Sequence, residues 1–141
     1  TDPSVLKRMR KPDFRNFELF LKRFQKANRQ AGKNQQLIPY LISSFPGCTL
    51  ENMAQLAVKC KANNLITDQV QDFTPTPMTY ATALYYLGFD PYTGEKIPVA
   101  RKVDDKRNQH LFFFYKKPEN RERVLALLTK IDRQDLKRKL F

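Results

Sequence analysis

The apolar residues between positions 14 and 31 recur at steps of three and four, the period of one face of an α-helix. Asp13, directly after Pro12, is a favourable N-cap, and Gly32 is a favourable terminating residue, so the pattern predicts a helix over 13–31. The stripe consists of Phe14, Phe17, Leu21, Phe24 and Ala31, with Phe20 and Ala27 beside it. Because base-stacking aromatic residues rarely repeat along a whole helix face, we interpret this stripe as facing the core.

Two short segments after this helix are predicted to be β-strands, and the first of them is an apolar run without alternation. The first covers 37–43, where Pro39 favours an edge or an early strand position, and the second covers 69–73. Between them, Thr49 is a favourable N-cap for a helix with its apolar residues on one face. A strand, a helix and a strand joined by short loops form a βαβ unit with parallel strands, which predicts an α/β fold.

Beyond the second strand the pattern is mainly helical. It predicts helices over 78–87, closed by Gly88, over 104–116, from Pro118 onward and after an N-cap at Asp132. Residues 1–12 show no such pattern and are predicted to form a loose basic lead-in. The four consecutive aromatic residues 112–115 exceed what one helix face needs. We expect the tail helices to cover them, although an exposed docking or dimer surface is the alternative.

Positive charge is concentrated at the two ends of the chain. The 26 Lys and Arg residues outnumber the 14 Asp and Glu residues, giving a net charge of +12. Residues 1–36 and 100–141 each carry a net +7, whereas 37–99 carry −2. This charge favours a polyanionic partner such as nucleic acid, although bases interleaved with helical apolar positions are also typical of solvated helix faces.

The hydrophobic runs are too short for a membrane protein. None approaches the roughly 18 residues that a membrane span needs. The first residues contain no apolar segment typical of a secretory signal. We therefore expect a cytoplasmic protein with no membrane partner.

Few residues in the chain offer catalytic or metal chemistry. His110 is the only histidine, has no acidic residue or cysteine close by in sequence, and is interpreted as a partly exposed structural residue. Cys48 and Cys60 are expected to be reduced thiols. Cys60 falls on the buried stripe of its helix, whereas Cys48 precedes the N-cap Thr49, where a helix terminus can lower a thiol pKa. We predict no catalytic residue and no metal site in this chain.

The positions after the two predicted strands are more informative. Ligands of parallel α/β proteins bind outside the carboxyl ends of the strands. Here those ends read SSFPGCT at 43–49 and QDFTPTPMT at 71–79, and both segments are rich in hydroxyl groups and proline. Loops of this kind occur in α/β proteins of unrelated function, so on their own they do not identify a ligand.

The segment from LIPYLISSFPG through VQDFTPTPMTYAT to DPYTGEKIPVAR closely resembles the distal part of the YgiQ-type radical SAM proteins. The earlier FELFLKRFQKANRQAGKNQQ and the later KPENRERVLALLTKIDRQDL are also similar, so the resemblance covers roughly residues 5–136. It implies an α/β fold that is a partial parallel (β/α) barrel fragment with a C-terminal helical extension. The lead-in at 1–12 would precede the distal barrel at 13–94, with the extension at 95–141.

The same resemblance implies a parent enzyme that cleaves S-adenosylmethionine reductively at a [4Fe–4S] cluster held by a C-x3-C-x2-C loop. That loop is missing here, and Cys48 and Cys60 do not match it. We expect this chain alone to bind neither group and to be inactive, and its partner to be the remainder of the polypeptide. By similarity, the strand-end residues near the adenosyl group or the adenine are Ser43, Ser44, Phe45, Gly47, Gln71, Asp72 and Phe73.

Two other hypotheses remain open. A basic nucleic-acid-binding module would use the two positively charged ends, and its affinity would fall steeply with salt. A protein-interaction module would use the aromatic residues 112–115 and the terminal helices. Self-association of the chain is also expected, because a surface that meets absent neighbouring strands would be apolar and uncovered.

Overall fold

The structure is a computed structural model that describes residues 2–141. Within these residues the helices and strands alternate only in the first half of the chain. In chain order the elements are α1 (Pro3–Arg8), α2 (Phe14–Gln30), β1 (Leu41–Ser43), α3 (Leu50–Ala62), β2 (Val70–Asp72), α4 (Tyr80–Leu87), α5 (Val103–Leu111), α6 (Pro118–Lys130) and α7 (Gln134–Leu140). A 3₁₀ turn at Phe112–Phe114 directly follows α5.

The strands β1 and β2 form a two-stranded parallel sheet, and α3 connects them. Leu41 lies opposite Val70 and Ser43 lies opposite Asp72. This confirms the predicted βαβ unit and the α/β fold. The first strand is shorter than predicted and begins after Pro39, since proline has no amide hydrogen for the ladder. Within residues 2–141 only these two strands pair in the sheet, so the barrel remains a prediction.

The helix ends follow the predicted local chemistry. The Asp13 side chain accepts a hydrogen bond from the Arg15 amide at the start of α2. Thr49 caps α3 and forms a capping box with Asn52, which satisfies amide groups that the helix leaves free. Gly88 ends α4 in the left-handed conformation at φ 72°.

Two expectations about the ends of the chain are wrong. Residues 2–12 are not a loose lead-in, because α1 is capped by Asp2 and buries Val5 in the core, while Thr1 lies outside the described residues. The last helix is not capped by Asp132, which adopts the left-handed conformation just after α6. Its N-cap is Arg133, whose guanidinium pairs with Asp135.

The core lies between α3 and the C-terminal third of the chain. One face of α3 is buried against the 3₁₀ turn, α5, α6 and α7, and Phe112 is fully buried there. Phe113 and Tyr115 are also buried, so these aromatic residues do not form the exposed docking surface considered as an alternative. They pack against α3 and lie in one core with buried residues of the tail helices α6 and α7.

Helix α2 packs less closely than the core helices. Leu21 is its only described residue that is fully enclosed, while Phe14, Phe17 and Phe24 are half-buried. Phe20 keeps 51% of its surface exposed. The predicted core-facing stripe is therefore confirmed only in part.

No helix within residues 2–141 combines the length and the apolar composition that crossing a bilayer requires.

The contrast between Phe112 and Phe20 gives a test of this core. Replacing Phe112 by alanine should lower the free energy of unfolding by about 3–5 kcal/mol, because it leaves a cavity in a fully buried site. The same replacement at the half-exposed Phe20 should cost less than about 1 kcal/mol. Urea denaturation followed by circular dichroism measures both values. Equal losses in the two variants would contradict this description of the core.

Candidate functional site

The carboxyl ends of β1 and β2 meet at one edge of the sheet. Ser43 ends β1, Asp72 ends β2, and the two residues are paired in the ladder. The Phe73 amide donates a hydrogen bond of 2.8 Å to the Ser43 carbonyl, which extends the pairing by one residue. The structure therefore brings together the two segments that sequence analysis singled out.

The predicted site residues differ in exposure. Ser43, Ser44, Phe45 and Gly47 are all buried. By contrast, Gln71 and Asp72 are exposed, while Phe73 is half-buried and packs against Phe45 with ring centroids 5.4 Å apart. In this conformation a ligand at the edge could contact the exposed side chains of the second segment. The first segment is buried and contributes a hydrogen bond from Ser43 to Asp72. The assignment of these residues to an adenosyl group remains a prediction.

Asp72 is held in place by two other side chains. The Ser43 hydroxyl donates a hydrogen bond to Asp72 Oδ1, and His110 Nδ1 lies 3.0 Å from the same oxygen. A carboxylate can only accept hydrogen bonds, so this contact places a proton on Nδ1 of His110. The carboxylate thus has a fixed position and keeps 43% of its side-chain surface exposed.

This arrangement is not that of a serine nucleophile. In a catalytic triad the imidazole lies between the hydroxyl and the carboxylate. Here the Ser43 hydroxyl donates to the Asp72 carboxylate, and one ring nitrogen of His110, Nδ1, lies 3.0 Å from that carboxylate and 3.4 Å from the Ser43 hydroxyl, so the imidazole does not bridge the two through its two nitrogens. Ser43 is also fully buried. The group is therefore suited to accept hydrogen bonds from a ligand at Asp72, not to attack one through Ser43.

His110 is the site residue that sequence analysis did not place. It lies near the end of α5, its side chain is 30% exposed, and its ring stacks on Phe114 with centroids 5.2 Å apart. Its partial exposure agrees with the prediction. Its carboxylate partner is 38 residues away in sequence, so no local motif could reveal the contact.

Gln109 fixes the loop that follows β1. Its side chain is buried, and its Oε1 accepts a hydrogen bond of 3.1 Å from the Ser44 amide. Its Nε2 donates a hydrogen bond of 3.1 Å to the Cys48 carbonyl. Ser44 is in the left-handed conformation at φ 60°, which serine rarely adopts. One α5 side chain thus clamps both ends of a strained turn.

Helix α1 and the segment after α4 support the same loop. The Gly47 amide donates a hydrogen bond of 2.8 Å to the Pro98 carbonyl. Arg8 of α1 pairs with Glu95 at 2.7 Å and passes beside Gly47. The loop is therefore enclosed from three directions by α1, the segment at 95–101 and α5.

Neither cysteine is suited to bind a cluster. Burial raises the pKa of Cys48 to about 12 and the pKa of Cys60 to about 11. The helix terminus at Thr49 therefore does not lower the pKa of Cys48, because loss of solvent outweighs it. Within residues 2–141 no three His, Cys, Asp or Glu side chains are grouped as a metal site would require. These residues do not fit a [4Fe–4S] cluster.

One known family model matches half of the chain. The model of a domain of unknown function, DUF3362, matches residues 68–138. The chain belongs to this family. The match begins just before β2 and includes Asp72 and His110, the partly exposed side chains of the site, together with the buried Gln109.

Curated relatives extend the similarity to the rest of the chain. Proteins named "UPF0313 protein" from Porphyromonas gingivalis and Bacteroides thetaiotaomicron are each 52% identical to it, over 97% and 100% of this chain. One from Methanocella arvoryzae is 40% identical over 94% of this chain. The chain spans 22%, 23% and 22% of the length of these three relatives. No solved structure matches it.

The Gln109 clamp can be tested by removing its polar group. Gln109→Leu should lower the free energy of unfolding by about 1–3 kcal/mol, because the Ser44 amide and the Cys48 carbonyl lose their buried partner. Gln30→Leu, at the exposed end of α2, is the matched control and should change it by less than about 0.5 kcal/mol. Urea denaturation measures both, and an unchanged Gln109→Leu midpoint would contradict the clamp.

The raised pKa values of the two buried thiols predict a loss of stability at alkaline pH. Both pKa values lie above the ordinary 9.0 in the folded state, so above pH 9.0 the unfolded chain loses protons first. The free energy of unfolding should therefore be unaffected by these thiols below that pH. It should fall by roughly 1–2 kcal/mol per thiol at about pH 10.5.

Urea denaturation of the native chain and of a Cys48→Ala, Cys60→Ala variant at about pH 8 and about pH 10.5 measures this effect. The variant also reports the contribution of the lysines and tyrosines that titrate in the same range. If both proteins lost the same stability between the two pH values, the thiols would not be responsible.

Proposed function

We propose that this chain is the C-terminal piece of a radical SAM enzyme of unknown substrate, in which the edge formed by β1 and β2 binds the nucleoside part of S-adenosylmethionine. The chain would be a late part of a parallel (β/α) barrel followed by a helical extension. The cluster and the reductive cleavage would depend on residues outside this chain, because its two cysteines are buried and do not fit a cluster.

The observation that carries the proposal is the fixed, outward-facing carboxylate of Asp72 at the carboxyl end of a parallel strand. Ligands of parallel α/β proteins bind at that end. Ribose hydroxyls and the adenine amino group are hydrogen-bond donors, and a carboxylate held by Ser43 and His110 is an acceptor already in position.

The length of the relatives supports the proposal that different segments of a longer protein bind the cluster and the nucleoside. Since this chain corresponds to about a fifth of each of them, most of their residues are available for functions that it lacks. The parallel pairing of β1 and β2 agrees with a barrel segment, since every strand of such a barrel runs in the same direction.

Binding of S-adenosylmethionine to the longer protein tests the proposal. Asp72→Asn should weaken binding by about tenfold or more, since it removes a charged acceptor while keeping the side-chain shape. Asp68→Asn is the matched control, because Asp68 is also exposed but precedes β2 at the opposite edge of the sheet. Isothermal titration calorimetry with S-adenosylmethionine measures the dissociation constants.

Ser43→Ala distinguishes the carboxylate that would bind the ligand from the hydroxyl that orients this carboxylate. It removes a hydrogen bond to Asp72 without touching the exposed carboxylate, so affinity should fall much less than in Asp72→Asn. Absence of S-adenosylmethionine binding by the native longer protein would refute the proposed function. Equal affinities in the native protein and Asp72→Asn would refute the role of this edge.

A further inference from the structure

Helix α2 carries a row of basic side chains on its solvent-facing side. Arg15, Lys22, Lys26 and Arg29 are separated by seven, four and three residues, so they lie on one helix face, and all four are exposed. At 1.5 Å per residue the row spans about 21 Å. We call these four residues the α2 basic row.

Very little negative charge neutralises this row. Glu18 is the only acidic residue of α2, and although it lies on the same face between Arg15 and Lys22, it forms no ion pair with either. Arg15 pairs with Asp13 at 3.2 Å, and both side chains are well exposed to solvent, where such a pair is weak. Among the described residues, no carboxylate lies within ion-pairing distance of Lys22, Lys26 or Arg29. The row therefore presents positive charge to solvent.

The apolar side of α2 faces the protein. Lys59 of α3 lies over the Phe14 ring at 4.8 Å, and Leu21 is buried. Phe14 and Phe17 border a cavity of about 340 Å³ shared with β1 and α3. A helix that lies in a membrane interface inserts its apolar face between the lipids. Because most of this face is turned inward, the accessible side of α2 suits a polyanion in water better than a bilayer.

We propose that the α2 basic row binds the phosphate backbone of single-stranded RNA. Long flexible Lys and Arg side chains in a straight row can follow the phosphates of one strand, and they recognise charge without reading bases. Binding should therefore show little sequence preference and a strong dependence on salt. The site is distinct from the edge of the sheet, so it does not depend on the proposed function.

Fluorescence anisotropy with a labelled single-stranded RNA of mixed sequence tests the proposal on the 141-residue chain. With four phosphate contacts, raising the salt from about 50 mM to about 200 mM should weaken binding by about 50-fold. The variant Lys22→Gln, Lys26→Gln, Arg29→Gln should bind more than tenfold more weakly at the lower salt. Its salt dependence over the same range should shrink to about threefold.

Two further variants distinguish binding at the α2 basic row from binding through net charge and from loss of folded structure. Arg107→Gln, Lys130→Gln, Arg138→Gln removes three exposed bases elsewhere and should keep nearly all of the RNA affinity. Lys22→Arg, Lys26→Arg, Arg29→Lys keeps the charges and should bind like the native chain. Circular dichroism verifies that each variant is folded.

The other possible partners are outcomes of the same experiment. Equal loss of RNA affinity in the α2 and control variants would overturn the site, since it would indicate binding through net charge alone. No binding at the lower salt would overturn the proposal itself. Tighter binding to single-stranded DNA of the same sequence, or to vesicles of anionic phospholipid, would overturn the assignment to RNA.

Discussion

Burial of α3 against the C-terminal third of the chain is the packing on which the rest of the structure depends. Phe112 and Phe113 anchor the turn after α5 in that core. Because the turn is fixed, the last residues of α5 are fixed too, and Gln109 and His110 meet the ends of β1 and β2. A two-stranded sheet is marginal by itself, so its geometry at this edge comes from the helices around it.

The site combines a rigid, buried segment with an accessible hydrogen-bond acceptor. The segment after β1 is enclosed and hydrogen-bonded, whereas the end of β2 presents a carboxylate to solvent. Such a division is suited to binding, because the orienting contacts at Ser43 and His110 are made before a ligand arrives. It is not suited to nucleophilic chemistry, since the only hydroxyl in the group is buried.

Local chemistry predicted most of the fold. Asp13, Thr49 and Gly88 mark helix ends because capping depends on neighbouring residues alone. The parallel pairing followed from the spacing of the elements. The helix α1 was missed although Asp2 and Pro3 are local start signals, because a helix of six residues is too short to show a period and depends on packing Val5 in a distant core. The contact of His110 with Asp72 was missed for the same reason, since it depends on tertiary packing that no sequence period records.

Position 47 illustrates how little freedom the enclosed loop has. Gly47 adopts φ 92°, a conformation that residues with a side chain rarely adopt. A Cβ there would lie 3.1 Å from Cδ of Arg8, the residue whose guanidinium also pairs with Glu95. A larger residue would thus strain the backbone and require the Arg8 side chain to move by a few tenths of an ångström. The absence of a side chain at this position therefore lets the loop after β1 lie directly against α1.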